Sequence, residues 1–263
     1  MTTLFETSGP ILIGVVHLKA LPGAPGFGGS MQQVLEFAAS DAAALKAGGC
    51  DGVIVENFGD VPFYKQAVPA ETIASMAVAI RDVRAAFGAG PVGVNVLRND
   101  GRAALGVCAA TESQFVRVNV LTGAAVTDQG VIEGDAAGVM RARASVAPNA
   151  SVFADVHVKH ATPMGNETIA QAARETLGRG MADGVIVSGR STGDPPDVAL
   201  LREVREVMDG GLLLIGSGLD LSNAAELMAV ADAAIVGTAL KIDGDVANAV
   251  DVSRVKRLRE ALS

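Results

Sequence analysis

Leu212-Leu213-Leu214-Ile215-Gly216-Ser217-Gly218 is followed, after one helix-like stretch, by Ala234-Ile235-Val236-Gly237-Thr238-Ala239. Each apolar run is too short for a buried helix and right for a buried parallel strand. Each stops at small residues that let backbone N–H groups approach a ligand closely. When two such turns end the last two strands of a (β/α)8 barrel they form its usual anion cradle, to which a helix dipole adds. Ser217, Gly218, Gly237 and Thr238 are therefore the expected phosphate-binding residues, with Lys241 expected to add charge. A bulky residue at position 237 is expected to block the anion and leave the fold intact.

Working outward, similar runs recur about every 25 to 40 residues, each followed by a loop and a helical pattern, as serial βα units require. The expected strands are Ile11–Val16, Gly52–Glu56, Val92–Val96, Phe115–Asn119, Ser151–Val156, Gly184–Ser188, Leu212–Gly216 and Ala234–Gly237. Expected helices are Met31–Ala47, Ala70–Ala86, Arg102–Ala110, Gly134–Val146, Glu167–Arg179, Asp197–Met208, Leu221–Val230 and Val246–Leu262. The fold class is α/β, a TIM barrel forming one domain over residues 1–263, a length close to that of a typical (β/α)8 chain. Ala47-Gly48-Gly49-Cys50-Asp51-Gly52-Val53-Ile54-Val55 resembles Arg179-Gly180-Met181-Ala182-Asp183-Gly184-Val185-Ile186-Val187. This repeat reads as shared αβ-turn geometry.

Composition agrees with a barrel: 49% of residues are hydrophobic and only 3% aromatic, so the core is built from branched aliphatic and small side chains. The net charge of −8 argues against a nucleic-acid partner, and any bound phosphate must be held by local groups. Cys50 and Cys108 stand far apart without metal-ligand spacing, as expected of buried thiols in a reducing compartment. With no signal-peptide pattern and no membrane-spanning run, a cytoplasmic protein without membrane insertion is expected. The residues leave a homo-oligomer open.

The unusual polar residues fall at the C-terminal ends of the expected strands: His17, Glu56, Asn57, Asn95, Arg98, Asn119, Asp155, His157, Lys159, His160, Ser188, Ser217 and Thr238. All three histidines are among them, which reads as a site on one rim. Period-2 alternation turns Asp155, His157 and Lys159 the same way and sets Arg117 within reach of Asp155 across neighbouring strands. The expected catalytic set is His17, Glu56, Asp155, His157 and Lys159, with Asn95, Asn119 and Ser188 orienting substrate hydroxyls. Asp155 reads equally as half of a buried ion pair. Lys159 reads as a cation facing phosphate or an enolate, or as an imine-forming amine, although nothing in the sequence lowers its pKa. No cofactor is called for; a divalent metal held by His17, Glu56, Asp155 and His157 is the alternative, without supporting ligand spacing. The polar segment Ser188–Pro195 is expected to lie over the ligand as a lid.

Three segments carry a family resemblance: Ile13-Gly14-Val15-Val16-His17-Leu18-Lys19-Ala20-Leu21-Pro22, Glu56-Asn57-Phe58-Gly59-Asp60 and Gly93-Val94-Asn95-Val96-Leu97-Arg98. With Thr127-Asp128-Gln129-Gly130 and Ala154-Asp155-Val156-His157-Val158-Lys159-His160, the chain resembles the BtpA/SgcQ family along nearly its whole length. That resemblance implies a barrel similar to the ribulose-phosphate-binding barrels. It leaves two functions open. One is an enzyme acting on a phosphorylated sugar or nucleoside-derived sugar, an isomerase, a lyase or a glycosidic-bond-cleaving enzyme, with a phosphorylated small molecule as partner. The other is a non-catalytic assembly or stability factor for a photosynthetic complex of the photosystem I biogenesis type.

Overall fold

A computed structural model of the protein describes residues 4–5 and 9–262. In chain order the strands and helices are β1 (Ile11–His17), α1 (Met31–Gly48), β2 (Gly52–Glu56), α2 (Ala70–Phe87), β3 (Val92–Asn95), α3 (Gly101–Thr111) and β4 (Phe115–Val118). Next come β5 (Ala124–Thr127), β6 (Gly130–Glu133), α4 (Ala136–Val146), β7 (Ser151–Val156), β8 (Ala161–Pro163), α5 (Ile169–Gly178) and β9 (Gly184–Val187). The chain closes with α6 (Val198–Glu206), β10 (Leu212–Ile215), α7 (Ala224–Met228), β11 (Ala233–Val236), two 3-10 turns and α8 (Val252–Ala261).

Eight strands form a closed parallel barrel in the order β1-β11-β10-β9-β7-β4-β3-β2, as the spacing of apolar runs predicts. Inside it Ile13, Ile54, Phe115, Phe153, Ile186, Leu214 and Ile235 pack as one cluster, against which Phe5 lies from below. Gly93 faces the Phe115 ring, where any side chain would collide with it. The opposite faces of the strands bury Val, Leu and Ala against the helices in a larger continuous core. This two-sided burial is why the strands read as unbroken apolar runs.

The repeated Asp-Gly turn has a physical role at the N-terminal rim. Asp51 accepts a hydrogen bond from Leu12 N at 2.8 Å and Asp183 from Val152 N at 2.7 Å, and Asp232, in an Asp-Ala turn, does the same for Leu213 N at 2.8 Å. Each aspartate thus pins the start of the neighbouring strand, and each is paired with an arginine: Arg259, Arg143 and Arg205 respectively.

Helix starts are set by side-chain caps at Ser30, Asp100, Asp135, Thr168, Asp197 and Asp251, which accept from first-turn N–H groups. Two expected helices are much shorter than their sequence patterns. The last starts at Val252 because Val250 is drawn into a bridge with Lys241 and donates to Asp41, leaving Asp251 as the cap. The seventh is reduced to Ala224–Met228 because Asp220 folds its own turn, accepting from Ser222 N at 2.7 Å. A feature absent from the expectation is the antiparallel sheet β6-β5-β8, inserted in the loops after β4 and β7. It has its own small core of Val120, Ala125, Ile132 and Val158.

Candidate functional site

The register of the barrel builds the site. His17 pairs with Glu56, Glu56 with Asn95, and Asn95 with Arg117, so four adjacent strands deliver four polar side chains to the last interior layer. His17 Nε2 lies 3.3 Å from Glu56 Oε1, and Asn95 Nδ2 donates to Glu56 Oε2 at 2.9 Å. Burial pushes the Glu56 carboxyl up, but the hydrogen bond and charge of His17, with Arg117 and Lys159 nearby, outweigh it and hold the group well below the carboxylate range. Glu56 is therefore ionised at neutral pH.

Arg117 forms the buried pair with Asp155 that the alternation predicts: Nε donates to Oδ2 at 2.9 Å and Nη2 to Oδ1 at 2.7 Å. Asn119 Nδ2 adds a hydrogen bond to Oδ2 at 3.1 Å and Ser188 Oγ lies 3.5 Å from Oδ1. Asp155 is thus fully engaged, its side chain 0% exposed, and it orders Arg117 without facing a ligand itself.

Two cavities open above this layer. The smaller, about 160 Å³, is lined by His17, Ser217, Gly218, Gly237, Thr238 and Ala239. The larger, about 490 Å³, is walled by Phe58, Val61, Phe63 and Leu97, with Asn95, Arg98 and Asn119 among its polar groups. Glu56, Arg117, Lys159 and Thr192 line both, so the cavities are two lobes of one cleft that meet at these four residues. The amide oxygens of Asn95 and Asn119 are buried without a hydrogen-bond partner, acceptors available to ligand hydroxyls.

In the smaller lobe Leu240 N and Lys241 N turn back to Gly237 O and Thr238 O. The N–H groups of Ser217, Gly218, Thr238 and Ala239 meet no backbone acceptor among the described residues. Gly218 has φ +77° and lies directly beneath the backbone of Asp194 and Pro195, while Ser217 Oγ donates to Asp194 O at 3.2 Å. The Ser188–Pro195 segment therefore lies over this lobe. His160 holds it there, with its Nε2 3.0 Å from Thr192 Oγ1 and its backbone N donating to Arg190 O at 3.0 Å.

Several expected positions differ. His157 does not continue the alternation: β7 ends at Val156, and His157 takes φ +50°. Its ring lines a separate cavity of about 40 Å³ with Thr122, Glu167 and Thr176, and Nε2 is buried without a partner. Burial lowers its pKa, opposed by Glu167. The four-residue metal set is consequently dispersed, with Glu56 facing His17, Asp155 facing Arg117, and His157 in its own cavity. Lys241 does not reach the cradle, because its Nζ is fully buried in an ion pair with Asp41 of α1. A Cβ on Gly237 would sit 2.5 Å from His17 Cε1, so a bulky residue there displaces His17 as well as any anion.

Lys159 enters the cleft by a different route from the one expected. After the turn at His157 its backbone carbonyl accepts from Arg98 Nη2 at 2.7 Å, which aims the side chain back over the barrel mouth. Burial and Arg117 lower its pKa to about 8, against the pull of Glu56 and Asp155. Among the described residues its Nζ makes no hydrogen bond or ion pair.

A closed βα barrel with a polar cleft at the C-terminal rim belongs to the class whose sites are assembled from strand ends and the loops that follow them. The BtpA family profile matches residues 9–263, and the chain belongs to that family. It is 42% identical to the photosystem I biogenesis protein BtpA of Synechocystis, over 98% of this chain and 90% of that protein. An uncharacterized protein of Thermococcus kodakarensis is 47% identical over 95% of this chain and 94% of its own length. Among solved structures, thiamine phosphate pyrophosphorylase from Pyrococcus furiosus superposes with a TM-score of 0.58 at 14% identity, covering 96% of this chain and 95% of that one. Phosphoribosyl anthranilate isomerase from Thermus thermophilus superposes with a TM-score of 0.57 at 14% identity, covering 96% and 98%. These two likenesses are of fold.

Proposed function

We propose that this chain is an enzyme acting on a phosphorylated sugar or sugar-like small molecule, with the phosphate in the smaller lobe and the reacting carbons at the junction with the larger. The observation that carries this reading is the meeting of an ionised carboxylate, Glu56, and an unpaired amine, Lys159, where the two lobes join. Glu56 removes a proton from carbon or hydroxyl, while Lys159 and Arg117 stabilise the oxyanion that develops opposite it. Asn95 and Asn119 accept hydrogen bonds from hydroxyls through their free amide oxygens. His17 acts through Glu56, keeping it ionised and oriented. The fold neighbours support this in kind: thiamine phosphate pyrophosphorylase and phosphoribosyl anthranilate isomerase are named for phosphorylated compounds.

The name of the Synechocystis relative favours a second reading, a non-catalytic assembly factor for a photosynthetic complex. Its expected signature is a broad apolar docking patch. The exposed large apolar side chains are not confined to one face: Val61 and Tyr64 follow β2 at the C-terminal rim, whereas Met181 precedes β9 at the other and Val78 and Leu200 lie on α2 and α6. Calorimetry with inorganic phosphate and ribose 5-phosphate tests the enzyme reading. Wild type is expected to bind the sugar phosphate and Thr238→Asp, which sets a carboxylate in the cradle, to lose at least tenfold in affinity. Equal binding by both proteins, or none up to millimolar concentrations, overturns it.

A further inference from the structure

Among the described residues Lys159 is the one ammonium-bearing side chain that lines the cleft, and its surroundings differ from those of every other lysine described. Lys241 is locked to Asp41, Lys46 donates to Ala89 O and stacks on Phe87, Lys19 lies over Phe37, and Lys65 and Lys256 are exposed. Lys159 instead has its backbone fixed by Arg98 and its amine unpaired, between Glu56 on β2, Arg117 on β4 and Asp155 on β7. We infer that Lys159 is a covalent nucleophile, which condenses with the carbonyl carbon of an aldehyde or ketone substrate to form an imine at the junction of the two lobes. This inference rests on the phosphorylated-substrate reading above and narrows it to carbonyl compounds.

The geometry supplies what such a step needs. Loss of water, with the cationic neighbours Arg117 and Arg98, disfavours the ammonium and brings its pKa down to about 8, which raises the neutral fraction well above that of an exposed lysine. In the step itself the ammonium, acidified by its surroundings, first loses a proton to solvent water, and the nitrogen lone pair forms a C–N bond with the carbonyl carbon. The carbonyl oxygen takes that proton to give a carbinolamine; a second proton passes from nitrogen to the same oxygen, and water leaves. The two protons lost by nitrogen are thus the two carried away in the water, and the product is a protonated imine. That imine withdraws electrons from the adjacent carbon, so deprotonation there or cleavage of the next C–C bond, with Glu56 taking the hydroxyl proton, becomes the accessible chemistry. Asp155 cannot substitute as base, being held by Arg117 and Asn119.

The test is reductive trapping on the wild-type protein, with pyridoxal 5′-phosphate, pyridoxal and dihydroxyacetone phosphate as probes, sodium borohydride as reductant and peptide mass spectrometry to locate the adduct. At pH 8 an amine of pKa about 8 has a roughly 150-fold larger neutral fraction than one at 10.5. Labelling of Lys159 is therefore expected to exceed that of exposed Lys65 and Lys256 by at least tenfold, with all three probes. Lys159→Arg, which keeps the cation and removes the nucleophile, is expected to leave only slow surface labelling. Adducts spread over surface lysines with Lys159 spared overturn the inference. Inorganic phosphate separates it from the cradle reading. Competition that slows the phosphorylated probes and not pyridoxal supports both, whereas preferential Lys159 labelling indifferent to phosphate upholds the imine and removes the cradle.

Discussion

Replacing Asp155 with Ala isolates the buried pair at the base of the cleft. In the folded protein Arg117 is 3% exposed and its guanidinium makes two hydrogen bonds of 2.7 and 2.9 Å to a carboxylate that is itself 0% exposed. Removing the carboxylate leaves that buried cation without its hydrogen-bonded counter-charge, which costs about 3 kcal/mol or more. With an unfolding entropy of about 2.1 cal/mol/K per residue, 263 residues give about 0.55 kcal/mol/K, so the melting midpoint is expected to fall by roughly 5 °C or more. Differential scanning calorimetry reads this directly. The double variant Arg117→Met, Asp155→Leu removes both charges and refills the space, and it is expected to recover most of the loss. It should still fail to bind a sugar phosphate, because Arg117 lines both lobes. An unchanged midpoint in Asp155→Ala, or a double variant whose loss equals the sum of the singles, would refute the account of the pair as a mutually neutralising unit.

Glu56 is titrated below its ordinary pKa, so its stabilising contribution is complete above the unfolded carboxylate value of 4.5 and is lost as pH falls toward the folded value. Glu56→Gln is accordingly expected to lower stability at pH 7 and to flatten the acid limb of a urea-denaturation series below pH 4.5. Lys159 has the opposite bias: its charged form is penalised in the folded state, so Lys159→Met is expected to raise the melting midpoint at pH 7. That gain should shrink between pH 8 and 10.5 as the wild-type amine loses its proton in the fold before it does when unfolded. Gly237→Ala, with its Cβ 2.5 Å from His17 Cε1 and 3.1 Å from Nε2, is expected to break the His17–Glu56 contact. The imidazole NMR chemical shifts of His17, compared with wild type at one fixed pH, check this.

The barrel was legible because each parallel strand is buried on both faces and so appears as an unbroken apolar run, such as Gly184–Val187 or Ala233–Val236. The rim was legible for a related reason: polar groups cannot interrupt those runs cheaply, so His17, Glu56, Asn95 and Asn119 gather where the runs end. Three things were not legible. Alternation holds only while the backbone stays extended, and the left-handed turn at His157 sends that ring to one side and lets Lys159 return to the other. Lys241 appeared positioned to serve the cradle, but its partner, Asp41, is brought to it from α1 by closure of the barrel, which no local pattern encodes. The antiparallel sheet has strands of four, four and three residues, too short to show a period; the turn at Asp128-Gln129 before Gly130, which has φ +97°, was its one local signal.

Gly216 and Gly237 also take a different meaning from the one that first drew attention to them. Both lie at strand ends on the interior side, and each has a site residue where its own side chain would be. A Cβ on Gly216 would lie 3.0 Å from Arg117 Nη2 and against Ser188 Oγ, and one on Gly237 would press on His17. The missing side chains on β10 and β11 are therefore what allow groups from β1, β4 and β9 to cross the barrel mouth and meet near its axis. The space of the smaller lobe and the room for His17 and Arg117 at the junction arise from the same two absences. The cradle and the Glu56–Lys159 junction are one packing unit, so substitutions at these glycines act on both at once. On the proposed reading, residues that line one lobe alone, such as Thr238 on one side and Asn95 on the other, are the ones expected to separate anion binding from proton transfer.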